Sequence, residues 1–218
     1  AQLVMLKNNV THLIATSDGT NQSEVKGIIS EHDLIVSQAN NPGVLIKQIK
    51  RTQSAEDLKL LRDRLTDIIQ SSIHKNIPLF HIYNIASEIN LALIKRSVEL
   101  AILDLGSPPA RFAWLCIGSQ GRKEQLLLTD QDSILVFEDV VPDKYRDVKD
   151  YFLKLAKRST VNLEKIGYSL CPNGHMGSNT LWCKSLSDWT NQYNSWMNTP
   201  GKNSNDLSSI FFDYEMAF

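Results

Sequence analysis

The chain has 218 residues, 42% hydrophobic and 22% charged, with a formal net charge of −1. That composition suits a globular protein with one large core or two small ones. It carries no basic field that would draw nucleic acid or an anionic membrane, and no apolar run approaches the roughly 20 residues of a membrane helix.

The opening AQLVMLKNNV lacks the basic start, long apolar core and cleavage site of a signal peptide. Cys116, Cys171 and Cys183 are too few and too scattered for a disulfide framework, so a reducing cytoplasm is the expected compartment. Apolar patterning at both ends leads us to expect that the chain continues beyond them.

In chain order, residues 10–15 and 25–29 read as short strands around a polar turn at 17–23. Ser30 then caps a helix expected over 31–39, and Asn41-Pro42-Gly43 is expected to break it. Residues 54–73 form an amphipathic helix: Ser54 and Asp57 have N-cap and N3 spacing, and Leu58, Leu61, Leu65, Ile68 and Ile69 make the stripe. A longer helix runs over 79–105 on Ile82, Ile85, Ile89, Leu93, Ile102 and Leu105, stopped by Gly106 and Ser107-Pro108-Pro109. These two helices are expected to pack as an antiparallel hairpin. Residues 112–117 and 133–137 are apolar on both parities, as suits central strands covered on both faces. Helices follow at 143–166 and 186–197, and residues 210–214 read as a third strand of the same sheet.

The chemistry concentrates between the two central strands, in Ile117-Gly118-Ser119-Gln120-Gly121-Arg122-Lys123-Glu124 and then Asp130-Gln131-Asp132. Phosphoryl-type transfer makes three demands that this segment can meet. A triphosphate needs close backbone approach, which Gly118, Ser119 and Gly121 allow at a helix start whose dipole favours anions. Magnesium needs hard oxygen ligands, and Asp130 and Asp132, two apart on extended chain, direct both carboxylates to one side. Charge building on the leaving pyrophosphate needs a cation, which Arg122 or Lys123 can supply. A lone Gly-Ser is an ordinary turn and a lone Asp-x-Asp an ordinary strand end; the ordered combination carries the reading. No P-loop pattern is present.

Gly118-Ser119 followed by Asp130-x-Asp132 resembles the signature of the DNA polymerase β-type nucleotidyltransferase superfamily. The longer string GSQGRKEQLLLTDQDSILVF resembles nucleotidyltransferases related to the N-terminal region of PII-protein uridylyltransferases. Residues 167–179, GYSLCPNGHMGSN, with Leu186-Ser187-Asp188-Trp189, are similar to a block that follows the active-site strands there, and Ser209-Ile210-Phe211-Phe212-Asp213 resembles a later strand bringing a third carboxylate. The resemblance spans about residues 54–218. It implies metal binding by Asp130, Asp132 and Asp213, with Glu215 the alternative third carboxylate of the same strand parity. It further implies two Mg2+ ions during catalysis, nucleotide contacts from Gly118, Ser119, Gly121, Arg122 and Lys123, and a nucleoside triphosphate as donor. A small signalling protein is the acceptor by analogy. Lys123 departs from the small residue often found there, which leaves the division of labour between Arg122 and Lys123 open. The helical region that usually follows Asp213 in these proteins is not in the sequence.

Residues 1–50 resemble most of one cystathionine-β-synthase-type (CBS) motif, carried by Met5, His12-Leu13-Ile14 and Gly27-Ile28-Ile29-Ser30-Glu31-His32-Asp33-Leu34. Such motifs pair to bind adenine nucleotides, and the resemblance places Ser30 and Asp33 at ligand-contact positions. A cleft needs both walls, so one motif makes only half of it.

Cys171, His175 and Cys183, with Cys116 as a distant fourth ligand, suggest a zinc set, but their spacing argues against it. Cys171-Pro172-Asn173-Gly174 reads as a turn; the functional alternative for the glycine-rich loop 172–179 is a loop beside the nucleotide, in which Asn179 would contact sugar or base. Trp189, Tyr193 and Trp196 at helical spacing read as a core stripe before a base-stacking platform. His74 and His81 receive no role.

The expected architecture is therefore α/β (α+β): a partial CBS motif over 1–52, a helical hairpin over 53–108, and a mixed-sheet nucleotidyltransferase core over 109–218, cut short at its C-terminal end. The alternatives are a non-catalytic adenine-nucleotide-sensing module and a structural homodimer built through the hairpin and the CBS half. No nucleic-acid or membrane partner is expected.

Overall fold

A computed structural model describes residues 1–31, 33–34, 41–127, 129–199 and 210–218. The chain divides into two compact units, Ala1–Leu45 and Ile46–Phe218. Among the described residues no helix is long and apolar enough to cross a membrane.

In the first unit, helix α1 (Gln2–Asn8) ends on Asn9, which takes the left-handed conformation at φ 52°. Strands β1 (His12–Thr16) and β2 (Val25–Ser30) form an antiparallel hairpin in which Ile14 faces Ile28. This matches the two expected strands within a residue or two. The Asp33 carboxylate accepts from the Ser30 N–H at 2.8 Å and the Ser30 hydroxyl at 2.7 Å, while the Ser30 Oγ accepts from the Asp33 N–H at 3.0 Å. These two residues thus cap a helical turn reciprocally. Residues 35–39 of the expected helix lie outside the described residues.

Asn41 is not helical, and a new helix begins at Pro42; residues 35–40, where the preceding helix was expected, lie outside the described residues. The Asn41 Oδ1 accepts from the Gly43 N–H at 2.9 Å, and Pro42 opens helix α2 (Pro42–Arg51), within which the boundary between the units falls. An Asn cap followed by proline is a helix N-terminus signal.

The second unit is a sheet between two helical layers. Helix α3 (Ala55–His74) is capped by Ser54, whose Oγ accepts from the Asp57 N–H at 3.1 Å, and it buries Leu58, Leu65, Ile68 and Ile69. Helix α4 (Leu79–Leu105) has the expected bounds, stops at Gly106 (φ 87°), and buries Ile82, Ile89, Leu93 and Val98. The two pack together and both pack on helix α6 (Pro142–Ile166), so the hairpin is two-thirds of a three-helix layer.

Strand β3 (Phe112–Ile117), the single turn α5 (Gly118–Gly121) and strand β4 (Ser133–Phe137) lie at the middle of a four-stranded sheet. Strand β5 (Cys183–Ser185) runs parallel to β4 and leads into helix α7 (Leu186–Asn198), capped by Ser185. Strand β6 (Tyr214–Met216) is antiparallel to β3. The order is β5-β4-β3-β6, a mixed sheet. On one face Phe152 of α6 stacks against Phe137 and meets Phe112. On the other, Ile117 and Ile134 pack with Trp189 and Trp196 of α7 and with Phe211. The aromatic stripe of α7 is therefore core, as its spacing indicated.

The strand expected at 210–214 needs correction. Residues 210–212 are helical, and the strand begins one residue after Asp213. An apolar run on both parities does not distinguish strand from buried helical turn. Here Phe211, fully buried, drops into the aromatic cluster against Trp182, Trp189 and Trp196. Phe211→Ala should cost about 3–5 kcal/mol of unfolding free energy through the cavity it leaves, read from urea denaturation; a loss below about 1 kcal/mol would mean that the turn does not carry this core.

Candidate active site

The site forms where three chain segments reach one end of the sheet. Strand β3 arrives there at Ile117, β4 departs there at Ser133, and β6 departs there at Tyr214; the registers pair Cys116 with Ser133 and Ile117 with Tyr214. Gly118-Ser119, Asp130-Gln131-Asp132 and Asp213 therefore all sit at the same edge.

The turn after β3 requires its glycines. Gly118 has φ +61°, and a Cβ there would come within 3.2 Å of the Asp132 Oδ2. A Cβ on Gly121 would fall 2.1 Å from the Asp213 carbonyl oxygen. Only one helical turn follows Gly118, so a long-helix dipole plays no part here. What remains of that expectation is the close backbone approach allowed by the glycines.

Helical-layer residues hold this loop from behind. Gln120, buried in the turn, donates from Nε2 to the Ser87 Oγ at 3.0 Å. Gln125 donates from Nε2 to both the backbone oxygen and Oδ1 of Asp130 at 3.1 Å. Arg62 of α3 donates to the Thr129 Oγ1 at 2.7 Å and the Leu127 oxygen at 3.0 Å, and lies over the Tyr168 ring. The Tyr168 hydroxyl donates to Asn90 Oδ1 at 2.7 Å. Sequence reading missed all of these supports; Ser87, Asn90 and Arg62 sit on helices whose apolar stripes drew the attention.

Asp130 and Asp132 flank Gln131, which is buried and donates from Nε2 to the Thr160 and Tyr168 carbonyls. Along this segment burial alternates, with Gln131 buried and both aspartates partly exposed. Asp132 Oδ1 is buried and has no hydrogen-bond partner among the described residues. Burial holds the Asp132 carboxyl above the usual carboxylate range, the charge of Asp130 adds to the shift, and the Cys171 thiol and His175 oppose it.

Asp213 and the two cations occupy one surface network. The Asp213 Oδ2 accepts from Arg122 Nη1 at 3.2 Å, and Arg122 Nε reaches Glu124 at 2.9 Å. Lys123, at φ 60°, pairs instead with Glu215 at 2.9 Å. Glu215 lies opposite Cys116 in the sheet and accepts from the Ser87 hydroxyl at 3.3 Å. The two cations are thus divided between the two acidic residues that flank Tyr214.

Among the described residues, the metal-ligating side chains that gather within 4.8 Å of one another are Asp132, Cys171 and His175. Asp130 and Asp213 are outside that group. The zinc set weighed from the sequence does not assemble: Cys183 sits in β5 opposite Leu135, and Cys116 is buried in β3. Burial pushes the Cys183 thiol up to about 12. Asn179 spends its amide inside its own loop, donating to the Gly174 oxygen at 3.1 Å and accepting from the Leu181 N–H at 3.0 Å.

A mixed sheet that carries a Gly-Ser turn on one central strand and an Asp-x-Asp at the start of its neighbour is the architecture of a nucleotidyltransferase domain. Residues 63–203 match the family described as "Putative nucleotidyltransferase DUF294", and the chain belongs to that family. No curated protein matches the chain.

Proposed function

We propose that the protein moves a nucleoside monophosphate from a nucleoside triphosphate to an acceptor hydroxyl, in the manner of the PII-protein uridylyltransferases that its motifs resemble. The observation that carries this reading is the convergence of Gly118-Ser119, Asp130, Asp132 and Asp213 on one sheet edge, with a buried carboxylate oxygen of Asp132 lacking a partner. An orphaned carboxylate oxygen fits a cation. Asp130, Asp132 and Asp213 would hold Mg2+, which supplies positive charge to the attacking and leaving oxygens.

The remaining work falls to the chain itself. Gly118 and Ser119 let the β- and γ-phosphates approach the backbone. Arg122 neutralises charge on the pyrophosphate as it leaves. Phosphates that engage Arg122 weaken its hold on the Asp213 carboxylate, which then faces the acceptor. The acceptor oxygen bonds to the α-phosphorus, the bond to the bridging α–β oxygen breaks, and the hydroxyl proton passes to Asp213. A protein acceptor and regulation by adenine nucleotides through the CBS-like unit complete the proposal. In that unit Ser30 and Asp33 would exchange part of their mutual hydrogen bonding for ligand contacts.

Incubation of the protein with each labelled nucleoside triphosphate, Mg2+ and cell extract tests the reading. Label transfer with release of pyrophosphate is expected, and Asp213→Asn should reduce it by at least about 10²-fold. Nucleotide binding without transfer to any acceptor would favour a sensor instead. Unchanged transfer in Asp213→Asn would remove this residue from the site.

A further inference from the structure

We propose that Asp132, Cys171 and His175 form a second metal site, for a thiophilic divalent cation of the zinc class, and that filling it withdraws Asp132 from magnesium chemistry. Its inhibitory consequence rests on the nucleotidyl-transfer reading; the binding itself does not.

The donor set decides the ion. A thiolate, an imidazole and one carboxylate suit zinc and its soft neighbours, whereas magnesium demands oxygen ligands in an octahedron. Carboxylate and thiolate together balance the two charges of the ion, and the Cys171 thiol proton leaves to solvent on binding. Three protein ligands leave a fourth position open to water.

The ligands are held for this purpose by a loop docked on the sheet. Cys171 and His175 bracket a tight turn: the Gly174 N–H donates to the Cys171 oxygen at 3.0 Å, Gly174 has φ +69°, and the His175 N–H donates to the Cys171 Sγ at 3.4 Å. The loop is then fastened to the residue next to Asp132. Ser133 N–H donates to the His175 oxygen at 2.9 Å, and Gly177 N–H to the Ser133 Oγ at 3.1 Å. The His175 ring meets Trp182 and Phe211 at 75° to each, which fixes its plane. The three donor atoms already lie within 4.8 Å of one another. Bond lengths to zinc put tetrahedral donors roughly 3.3–3.7 Å apart, so closure takes about an ångström of side-chain rotation.

Asp132 Oδ1, buried and without a partner among the described residues, fits a cation held at this carboxylate. A hydrogen bond from the Cys171 thiol explains only why Cys171 is near; it leaves that oxygen unsatisfied.

The test titrates chelator-treated protein with Co2+ alone. Expected are a thiolate-to-cobalt charge-transfer band and the intense visible bands of four-coordinate cobalt, both displaced by Zn2+. Cys171→Ser should abolish the charge-transfer band, and His175→Ala and Asp132→Asn should each weaken binding at least about tenfold. Replacing both Cys116 and Cys183 by serine should leave the band in place. Circular dichroism of each variant establishes that it is folded. A missing band in the wild type, or a band that survives Cys171→Ser, would overturn the site. In the transfer assay, Zn2+ should inhibit the magnesium-supported rate, and its potency, relative to each variant's own zinc-free rate, should fall at least tenfold in Cys171→Ser and His175→Ala. Cobalt binding without zinc inhibition would overturn the shared use of Asp132. Cobalt binding in a protein that transfers nothing would support the site and count against the nucleotidyl-transfer reading.

Discussion

Asp132→Asn is expected to lower nucleotidyl transfer by roughly 10³-fold while making the metal-free protein more resistant to heat at neutral pH. The two effects have one origin. Asp132 is partly buried, one of its oxygens has no partner, and Asp130 lies near. Its charged form is therefore disfavoured in the folded chain relative to the unfolded one, where the pKa is near 3.8. A raised folded pKa means that the folded state holds the proton over a pH range in which the unfolded state has lost it. Stability then falls as pH rises from the unfolded value through the folded value, and the whole penalty is present above both. Asparagine keeps the shape without the charge. Thermal melts in chelator should show the wild type losing stability as pH rises from near 3.8 through the raised folded value, with a smaller loss in the variant. Added Mg2+ should stabilise the wild type and not the variant, because only a ligand that binds the folded state shifts the melt. A variant that melts below the wild type in chelator, and still transfers, would sink both the electrostatic account and the catalytic one.

Most of the scaffold was legible because local signals agreed with the tertiary outcome. Helix α4 shows it: an apolar stripe, no interior breaker and Gly106 at its end gave the observed bounds. Strands β3 and β4 are apolar on both parities because helical layers cover both faces. The error occurred where one residue type serves two geometries. Ile210-Phe211-Phe212 has the composition of a strand, but Phe211 fills a core reached from a helical turn. The site divides in the same way. Gly118-Ser119 and Asp130-x-Asp132 are contiguous and could be read directly. The approach of Cys171 and His175 to Asp132 depends on a loop that folds back on β4, and no spacing rule within one segment encodes that. The pairing of Arg122 with Asp213 and Lys123 with Glu215 likewise appears only once β6 lies beside β3.

Gly121→Ala is the second substitution with a large expected effect, and it tests whether the Gly-rich turn and the third carboxylate are mechanically one unit. Gly121 is not in the left-handed region, so alanine suits its backbone conformation and the conflict is purely one of space. The added Cβ would lie 2.1 Å from the Asp213 carbonyl oxygen, 2.6 Å from its carbonyl carbon and 3.0 Å from the Tyr214 Cα. These are backbone atoms, and no side-chain rotation relieves the overlap. Either the turn or the start of β6 must move by about an ångström or more, since a Cβ is not tolerated at such distances. The expected destabilisation is about 1–3 kcal/mol, the usual cost of overpacking a closely packed region. Movement of β6 displaces Asp213 and loosens the Arg122 and Lys123 pairs. A displacement of that size in a reacting group lowers transfer by about 10²-fold. Gly118→Ala provides the contrast: its added Cβ meets a movable carboxylate oxygen of Asp132 at 3.2 Å, and its cost comes mainly from φ +61°. Amide exchange at residues 214–216 should accelerate in Gly121→Ala and change little in Gly118→Ala. Wild-type stability and transfer in Gly121→Ala, with slow exchange in β6, would mean that the turn and the Asp213 strand are not in the contact described, and Asp213 would lose its proposed role.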